Sequence, residues 1–228
     1  MFQFSKNIES QDYIKSFKAL SSSEFNDVKQ RKKQLRYNKR ETICKQGTFA
    51  PNIMYLEEGL AKLYFQGKNK KNLIIKIVTP YDFIGLSSLF GKNYCYYSVV
   101  ALTDATVNMI AKDDFKNNII SNSKFASKII ELYCNNNALF FSRLNDVATK
   151  HVHARLADAI LYLTETKYCG KNLLSLITRK ELAEITNVSV EGAIRLLSEF
   201  KKEGIIEING KNIEIIDHEK LKRISDVG

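Results

Sequence analysis

Residues 177–210 read ITRKELAEITNVSVEGAIRLLSEFKKEGIIEING and contain the start and stop signals of two short helices and a hairpin. Thr178, followed three residues later by Glu181, has the spacing of a capping box, in which each side chain accepts a hydrogen bond from the backbone amide of the other residue. Such a box marks the start of a helix, so we expect a first helix from Thr178 through Thr186.

A second helix is expected directly after a tight turn at Asn187-Val188. Ser189 is a favoured N-cap residue because its hydroxyl can accept a hydrogen bond from an unpaired amide of the first turn. Gly204 occupies the position where helices commonly end in a left-handed residue, which predicts a helix from Ser189 through Glu203. Its predicted core face consists of Ala193, Leu196, Leu197 and Phe200.

A β-hairpin is expected after the second helix, with strands at 205–208 and 212–216. Asn209-Gly210, which lies between them, is the preferred pair for a type I′ turn. Two short helices joined by a turn and followed by a hairpin form a winged helix-turn-helix, whose second helix enters the major groove of DNA. The sequence therefore predicts a DNA-binding domain in this part of the chain.

The exposed face near the start of the second helix carries the residues expected to read DNA. Glu191 can accept a hydrogen bond from cytosine N4, and Arg195 can donate to both O6 and N7 of guanine. Alternatively, these two residues form an ordinary surface ion pair between positions i and i+4. The expected base-contacting residues are Val190, Glu191, Ile194 and Arg195, and the expected phosphate contacts are Thr178, Arg179, Ser189 and Lys201.

A long helix with an apolar seam is expected upstream, from Ser123 to about Val147. The seam residues, spaced alternately by four and three, are Ala126, Ile130, Tyr133, Asn137, Phe140, Leu144 and Val147. This 3.5-residue period is typical of a coiled coil, and a single Asn in the middle of a seam can fix the register of two helices. A helix packed on its own β-domain is the alternative. The predicted dimer interface consists of Ile130, Tyr133, Asn137, Phe140, Leu144 and Val147.

Short β-strands are expected between residues 37 and 112, because short apolar runs alternate there with Gly-rich and Asn-rich turns. Strands of this length indicate a sandwich or a small barrel. The strands are placed at 53–56, 60–65, 73–78, 98–102 and 105–110. Helices are expected at 8–36, after Asp113 or Asp114 as N-cap, and from Val152 to about Tyr168.

The distribution of charge differs between the two halves of the chain. The 228 residues carry a formal net charge of +10, which favours an anionic partner such as nucleic acid. Residues 151–228 have 12 basic and 12 acidic side chains, so the whole excess lies in residues 1–150. The basic run at 29–40 is interpreted as a solvated surface, with an anion-binding face as the alternative.

The composition disfavours several classes of protein. The longest apolar runs are far shorter than the ~20 residues of a membrane span, and the first ten residues lack a signal-peptide pattern, so a cytoplasmic protein without membrane contact is expected. The four cysteines form no C-x-x-C pair, so neither structural zinc nor iron–sulfur spacing is present. They are expected to be free, partly buried thiols. A redox sensor would need an exposed thiol of low pKa, and nothing in the sequence indicates one.

The pattern from about Tyr37 to Ile216 resembles the Crp/Fnr transcription regulators, which are related to the cyclic-AMP receptor protein and the fumarate–nitrate regulator. The matching motifs are YLEEGLAKLY at 55–64, DFIGLSSLF at 82–90, ITRKELA at 177–183 and VSVEGAIRLL at 188–197. The resemblance implies an α+β fold with an N-terminal double-stranded β-roll, a long dimerisation helix and a C-terminal winged helix-turn-helix. The implied domain boundaries are 1–122, 123–148 and 149–228.

The resemblance implies sequence-specific binding of a palindromic operator by a homodimer, and it allows contact with RNA polymerase. The family's recognition pattern, Glu followed four residues later by Arg, is present as Glu191 and Arg195. Two positions depart from the family. The cyclic-AMP branch has Arg where this chain has Val190, and a small residue is common where this chain has Ile194. These departures bear on the sequence of the half-site.

The effector pocket implied by the resemblance lacks the residues that bind cyclic AMP. Leu86 replaces the Glu that binds the ribose, and Tyr96 and Tyr97 replace the Arg-Ser pair that binds the phosphate. Phe140 and Phe141 replace the Thr-Ser pair that contacts the base. These aromatic side chains either fill the pocket as core or accept a flat, apolar effector, and cyclic AMP is not expected to bind. The implied pocket residues are Gly85, Leu86, Ser87, Tyr96, Tyr97, Phe140 and Phe141.

No cofactor, metal or enzymatic activity is expected. Residues 1–43 contain no Cys, unlike the fumarate–nitrate branch with its N-terminal cysteine cluster. His151, His153 and His218 all lie outside the β-region, which disfavours a haem ligand there and the His-rich metal site of a cupin enzyme. The alternative function is a regulatory subunit that does not bind DNA and uses its β-roll to contact a ligand or a protein.

Overall fold

A computed structural model describes residues 32–67, 71–169 and 171–227 of the chain. These residues form two compact units, of which the first contains 32–67 and 75–139 and the second contains 71–74 and the residues from 140 onward. The expected α+β fold is confirmed, because a β-rich region, a long helix and a helix-turn-helix region follow one another along the chain.

Two four-stranded sheets make up the β-rich region. Their strands in the described residues are β1 Lys33–Tyr37, β2 Thr42–Cys44, β3 Asn52–Glu58, β4 Ala61–Gln66, β5 Asn72–Val78, β6 Phe83–Ile84, β7 Ser98–Ala101 and β8 Ala105–Ala111. The strand orders are β1-β8-β3-β6 and β2-β7-β4-β5. The five expected strands are confirmed, whereas β1, β2 and β6 are short or polar and carry no alternation that predicts them.

The sheet that contains β3 and β8 is buried on both faces. Leu56 belongs to an apolar cluster that also contains Val99 from the other sheet. Ile53 and Ile110 belong to a second cluster, which includes side chains of the helices that follow β8. Because successive strand residues face opposite sides, a strand buried on both faces reads as a continuous apolar run, as residues 53–56 do.

The described residues also contain six α-helices. They are α1 Lys112–Ser121, α2 Ser123–Thr149, α3 Val152–Glu165, α4 Arg179–Thr186, α5 Val190–Lys202 and α6 His218–Val227. The bounds of α2, α4 and α5 agree with the expected ones to within two residues at each end. In the described part of the chain, no helix is both long and apolar enough to cross a membrane.

One expected helix start and one expected helix end are wrong. Ala111, not an aspartate, is the N-cap of α1; Asp113 and Asp114 lie in its first turn, where carboxylates interact favourably with the helix dipole. α3 ends at Glu165 instead of reaching Tyr168, since Thr166 is extended. A two-stranded hairpin follows it, formed by β9 Lys167–Tyr168 and β10 Lys171–Asn172.

The expected helix at 8–36 is wrong over its last residues and otherwise lies outside the described residues. Residues 33–37 form β1, which pairs with β8 and places Leu35 opposite Val107. Pairing with β8 satisfies backbone groups that would otherwise be exposed along a sheet edge. This contact is distant in sequence, so the local polar pattern does not reveal it.

α6 is a helix that the sequence analysis does not anticipate. It packs against α3, and its Leu221 is fully buried. The carboxylate of Asp217 accepts a hydrogen bond from the Lys220 amide at 2.8 Å, as an N-cap does. This aspartate is therefore the signal that marks the start of α6.

Candidate DNA interface and effector site

The capping box of α4 is present as expected. Oγ1 of Thr178 accepts a hydrogen bond from the Glu181 amide at 3.2 Å, and Oε2 of Glu181 accepts one from the Thr178 amide at 2.9 Å. The helix ends at Asn187, whose φ of 54° is left-handed and turns the chain towards α5. The expected turn at Asn187-Val188 is thereby confirmed.

Two faces of α5 differ in burial. Its predicted core face is at most 2% exposed, and consists of Ala193, Leu196, Leu197 and Phe200. Ser189 caps the helix by accepting a hydrogen bond from the Gly192 amide at 3.0 Å. The expected base-contacting residues are all exposed on the opposite face of the first turns, and are Val190, Glu191, Ile194 and Arg195. The structure thus brings these four side chains together on one surface.

Arg195 pairs with Glu199 and not with Glu191. Its Nε lies 3.8 Å from Oε1 of Glu199, and Oε2 of the same carboxylate lies 2.9 Å from Nε2 of His153. The ion pair between Glu191 and Arg195, the alternative from the sequence, is not formed. Glu199 stands four residues after Arg195, so the i,i+4 rule points to it as well, whereas no local pattern indicates His153 in α3.

Two of the expected phosphate contacts connect the helices to the hairpin. Nζ of Lys201 lies 2.7 Å from Oε1 of Glu207, and this hydrogen bond lowers the pKa of Glu207. Nη2 of Arg179 donates to the carbonyl oxygen of Gly210 at 3.3 Å, and burial lowers the pKa of the guanidinium. Both cations therefore hold the hairpin close to α4 and α5.

The hairpin consists of β11 Ile206–Asn209 and β12 Asn212–Ile215. Asn209 pairs with Asn212, so the turn residues are Gly210-Lys211, and the expected Asn209-Gly210 turn is wrong by one residue. Of these two residues only Gly210 has a positive φ, of 62°, which fits a II′ turn instead of the expected I′ turn. The apolar pattern explains this register, because it places four isoleucines on one face: Ile206, Ile208, Ile213 and Ile215.

Adjacent sides of α2 differ in their surroundings. Phe125, Ile129 and Leu132 are buried in an apolar cluster of the first unit. In the expected dimer seam, Ile130 is 61% exposed, and Tyr133 and Leu144 are exposed by 40% and 44%. The remaining seam residues are half-buried, and are Ala126, Asn137, Phe140 and Val147. Packing on the β-region therefore uses a different side of the helix from the seam.

Four of the expected effector-pocket residues lie together in the first unit. Gly85, with a left-handed φ of 95°, donates its amide hydrogen to the hydroxyl of Tyr97 at 2.8 Å. Tyr97 also hydrogen-bonds with Ser87, and its burial raises the pKa of the phenol. Leu86, next to Gly85, is buried.

The other three expected pocket residues have different neighbours. The ring of Tyr96 packs on Tyr94, with centroids 4.8 Å apart. Phe140 and Phe141 belong to the second unit, where their ring centroids lie 6.5 Å apart. The side chain of Phe141 is 68% exposed. Within the described ranges, no group of three or more His, Cys, Asp or Glu side chains is arranged to hold a metal ion.

Two family models match the chain. The cyclic nucleotide-binding domain matches residues 34–122, and the Crp-like helix-turn-helix domain matches residues 154–224. The first range contains the two β-sheets, and the second contains the helix-turn-helix with its hairpin. The two matches agree in order and extent with the fold.

Named relatives and solved structures agree with the family models. The transcriptional regulator LdrP of Thermus thermophilus is 24% identical over 195 residues, which cover 82% of this chain and 94% of LdrP. A regulator of the crp/fnr family from Eubacterium rectale has a TM-score of 0.77 at 16% identity, covering 94% of this chain and 99% of its own. FixK2 from Bradyrhizobium japonicum has a TM-score of 0.75 at 17% identity, and the match covers 86% of this chain and 98% of the FixK2 chain.

Proposed function

Since this chain belongs to the Crp/Fnr family of transcription regulators and carries a Crp-like helix-turn-helix DNA-binding domain, we propose that it binds a palindromic operator as a homodimer, with α5 as the recognition helix. Proteins of this family are transcription regulators and not enzymes. The observation that carries the proposal is the exposed face of α5, where Glu191 and Arg195 lie beside two apolar residues, Val190 and Ile194.

The groups on this face are complementary to the edges of base pairs. Arg195 donates two hydrogen bonds to O6 and N7 of a guanine, and Glu191 accepts one from N4 of a cytosine. Val190 and Ile194 are apolar, as suits contact with the methyl group of thymine. Because the face is at the start of the helix, it enters the major groove first.

Phosphate contacts come from residues around this face. Thr178 and Ser189 lie at the N-termini of α4 and α5, where the helix dipole favours an anion. Arg179 and Lys201 add positive charge beside the hairpin. Such contacts fix the register of the protein on the duplex without reading sequence.

The dimer forms through the seam of α2. Ile130, Tyr133 and Leu144 expose apolar surface in the single chain, and Asn137 lies between them with the spacing of a coiled-coil seam. Two copies related by a two-fold axis would present two recognition helices to half-sites centred about one helical turn of DNA apart. The operator is then palindromic because the protein is symmetric.

The β-region acts as an effector-type domain that lacks the side chains needed to bind cyclic AMP. Leu86 offers no hydrogen bond to a ribose, and the hydroxyl of Tyr97 is already bonded to the Gly85 amide. Neither these residues nor Tyr96 supplies the positive charge that a buried cyclic phosphate requires. The effector is either absent or a flat, mostly apolar molecule.

We assign residues 1–122 to the effector-type domain, 123–148 to the dimerisation helix and 149–228 to the DNA-binding domain. Bound at its operator, the dimer regulates transcription by contacting RNA polymerase or by blocking its access. This assignment keeps the residues expected to read DNA within one domain.

The proposal is tested by selecting binding sites for the full chain from a random duplex library. We expect an enriched motif with two-fold symmetry and half-site centres about 10 base pairs apart. Sequencing of a library selected without protein provides the control. An enriched motif without symmetry would contradict the dimer, and the absence of any enrichment would contradict DNA reading by α5.

A further inference from the structure

Two of the free cysteines face each other inside the β-rich unit. Cys44 ends β2 and is half-buried, and Cys95 is 8% exposed in the segment before β7. The backbone of Cys95 bonds in both directions to the turn that follows Cys44: its amide donates to Thr48 O and its carbonyl accepts from the Gly47 amide, both at 2.8 Å. The two thiols are close enough to share a hydrogen bond.

The surroundings of the pair differ for the two sulfur atoms. The Cys44 thiol, the Thr48 hydroxyl and the ammonium group of Lys112 together lower the pKa of Cys95 to about 6. The same hydrogen bond between the thiols, followed by burial, raises the pKa of Cys44. These three groups therefore favour the thiolate form of Cys95 over that of Cys44. The titratable or polar groups facing the pair are Tyr37, Thr48, Tyr97 and Lys112.

Lys112 is fixed close to this segment by its own contacts. Its backbone amide donates to the carbonyl of Pro51 at 3.1 Å, and its Nζ donates to Oδ1 of Asn93 at 3.3 Å. Asn93 lies two residues before Cys95 and is itself bonded to the Ala50 amide at 3.0 Å. The cation is thus built into the site and does not depend on a freely moving side chain.

We propose that Cys44 and Cys95 form a dithiol site that a hydroperoxide oxidises to an intramolecular disulfide. The Cys95 thiolate attacks the peroxide, so that an S–O bond forms, the O–O bond breaks, and an alcohol or water leaves with one proton. The Cys44 sulfur then attacks the sulfenic acid, so that the S–S bond forms and water leaves. Overall, two thiols lose two electrons and two protons, and one hydroperoxide is reduced.

The exposed cysteines provide an internal comparison for this site. Cys134 and Cys169 are both exposed, so accessibility alone would favour their oxidation. Neither thiol hydrogen-bonds to another residue within the described ranges, and no second cysteine lies beside either of them in sequence. Thiolate character and a resolving partner instead favour oxidation at Cys95.

The dithiol is connected to the candidate effector pocket. The Cys44 thiol lies 3.8 Å from the carbonyl oxygen of Tyr97, and the hydroxyl of Tyr97 accepts the Gly85 amide hydrogen. Disulfide formation removes the single Cys44 hydrogen, for which the Cys95 sulfur and this carbonyl are the two nearby acceptors. Oxidation therefore changes the contact between Cys44 and Tyr97, and Tyr97 is the residue whose hydroxyl accepts the Gly85 amide hydrogen.

The site is tested by treating the reduced full chain with one equivalent of hydrogen peroxide at pH 7, followed by alkylation and peptide mass spectrometry. We expect a linked peptide pair that joins Cys44 to Cys95, unmodified thiols at Cys134 and Cys169, and reversal by dithiothreitol. Oxidation that occurs first at Cys134 or Cys169, with no linked pair, would overturn the proposal.

Variants separate the roles of the two sulfurs. With Cys44→Ser the reaction should stop at a sulfenic acid on Cys95 that dimedone traps, and with Cys95→Ser the oxidation of Cys44 should slow at least tenfold. The matched control, Cys134→Ser combined with Cys169→Ser, should form the disulfide at the unchanged rate. Equal oxidation rates in Cys95→Ser and the wild type would show that Cys95 is not the attacking thiol.

A pH series on the unmodified chain does not depend on the folding of any variant. The rate of disulfide formation should rise with pH around pH 6 and level off by about pH 7.5, because the pKa of Cys95 is about 6. A rate that still rises tenfold between pH 7 and pH 8.5, as for an ordinary cysteine of pKa about 8.5, would overturn the assignment of Cys95.

Hydrogen exchange tests the connection to Tyr97. The Gly85 amide should exchange at least fivefold faster in the oxidised chain than in the reduced chain, whereas amides in α5 should be unchanged. Identical exchange of Gly85 in both forms would contradict the connection between the dithiol and this pocket.

Discussion

Arg195 lies between two carboxylates on α5, Glu191 one turn before it and Glu199 one turn after it. The guanidinium of Arg195 is near Glu199, at 3.8 Å, and His153 binds the same carboxylate. Base contacts are expected from the N-terminal end of a recognition helix. For the proposed contact with guanine, Arg195 has to leave Glu199, so we expect Glu199 to compete with DNA for the guanidinium.

Replacing this competitor should strengthen operator binding. In Glu199→Gln the carboxylate is lost, and because exposed ion pairs are worth about 0–1 kcal/mol, we expect up to about fivefold tighter binding with the same base preference. Fluorescence anisotropy with the selected operator measures this change.

Glu203→Gln is the matched control, because it removes the same charge from the end of the same helix, where Glu203 pairs with Lys220 at 3.1 Å and not with Arg195. Glu199→Gln should bind more tightly than Glu203→Gln. If the two variants bind equally well, the ion pair does not restrain Arg195.

At the scale of elements, one buried side chain joins three helix ends. Nη1 of Arg155 donates to the carbonyls of Lys150 at 2.8 Å and Val147 at 3.3 Å, and its Nε donates to the carbonyl of Thr186 at 2.9 Å. These carbonyls lie at the end of α2, just before α3 and at the end of α4. Arg155 therefore satisfies acceptors that the helices themselves leave unpaired.

Arg155→Lys should lower the free energy of unfolding by about 1.5–3 kcal/mol, because an ammonium group cannot reproduce the forked geometry and leaves a buried carbonyl unpaired. Urea denaturation followed by circular dichroism measures this loss. Arg195→Lys makes the same exchange at an exposed position and should stay within about 0.5 kcal/mol of the wild type. A similar loss in both variants would contradict the role of Arg155.

The role proposed for the α2 seam requires a second copy of the chain. Leu144→Asp introduces a charge where the seam is expected to be dry, so it should convert the dimer into a monomer in sedimentation velocity at micromolar concentration. Asn145→Asp adds the same charge at the neighbouring exposed position and should leave the dimer intact. A monomeric wild type, or a dimeric Leu144→Asp variant, would contradict the seam.

Local signals predict the helix-turn-helix well, and contacts distant in sequence explain where the prediction fails. Thr178, Ser189 and Gly204 act within one helical turn, so their pattern is visible in the sequence. The register of the hairpin and the strand β1 depend on apolar faces and pairing partners elsewhere. The contact of Glu199 with His153 likewise joins residues that are 46 apart, which no spacing rule identifies.

For the whole molecule, the excess of charge and the residues expected to read DNA lie in different parts of the chain. Residues 1–150 carry the entire net charge of +10, and residues 151–228 are neutral. We expect the positive part to attract DNA at long range and the neutral part to provide base recognition.

The whole chain should not bind cyclic AMP with useful affinity. A cyclic phosphate that enters a partly buried site needs charge-assisted hydrogen bonds, and Leu86, Tyr96 and Tyr97 supply none from a cation. Isothermal titration calorimetry with cyclic AMP and cyclic GMP should show no binding at micromolar concentrations. A dissociation constant in the low micromolar range for either nucleotide would contradict the loss of the ligands.

The most direct test compares the wild type with Arg195→Ala on the selected operator and on operator variants. In these variants each base pair is exchanged in the left half-site, in the right half-site, or in both. Arg195→Ala should lose about 1–3 kcal/mol of binding free energy, or about 5- to 150-fold in affinity, and become indifferent to one base pair at symmetric positions. Retention of the wild-type preference at every base pair would contradict base reading by Arg195, and a change confined to one half-site would contradict the symmetric dimer.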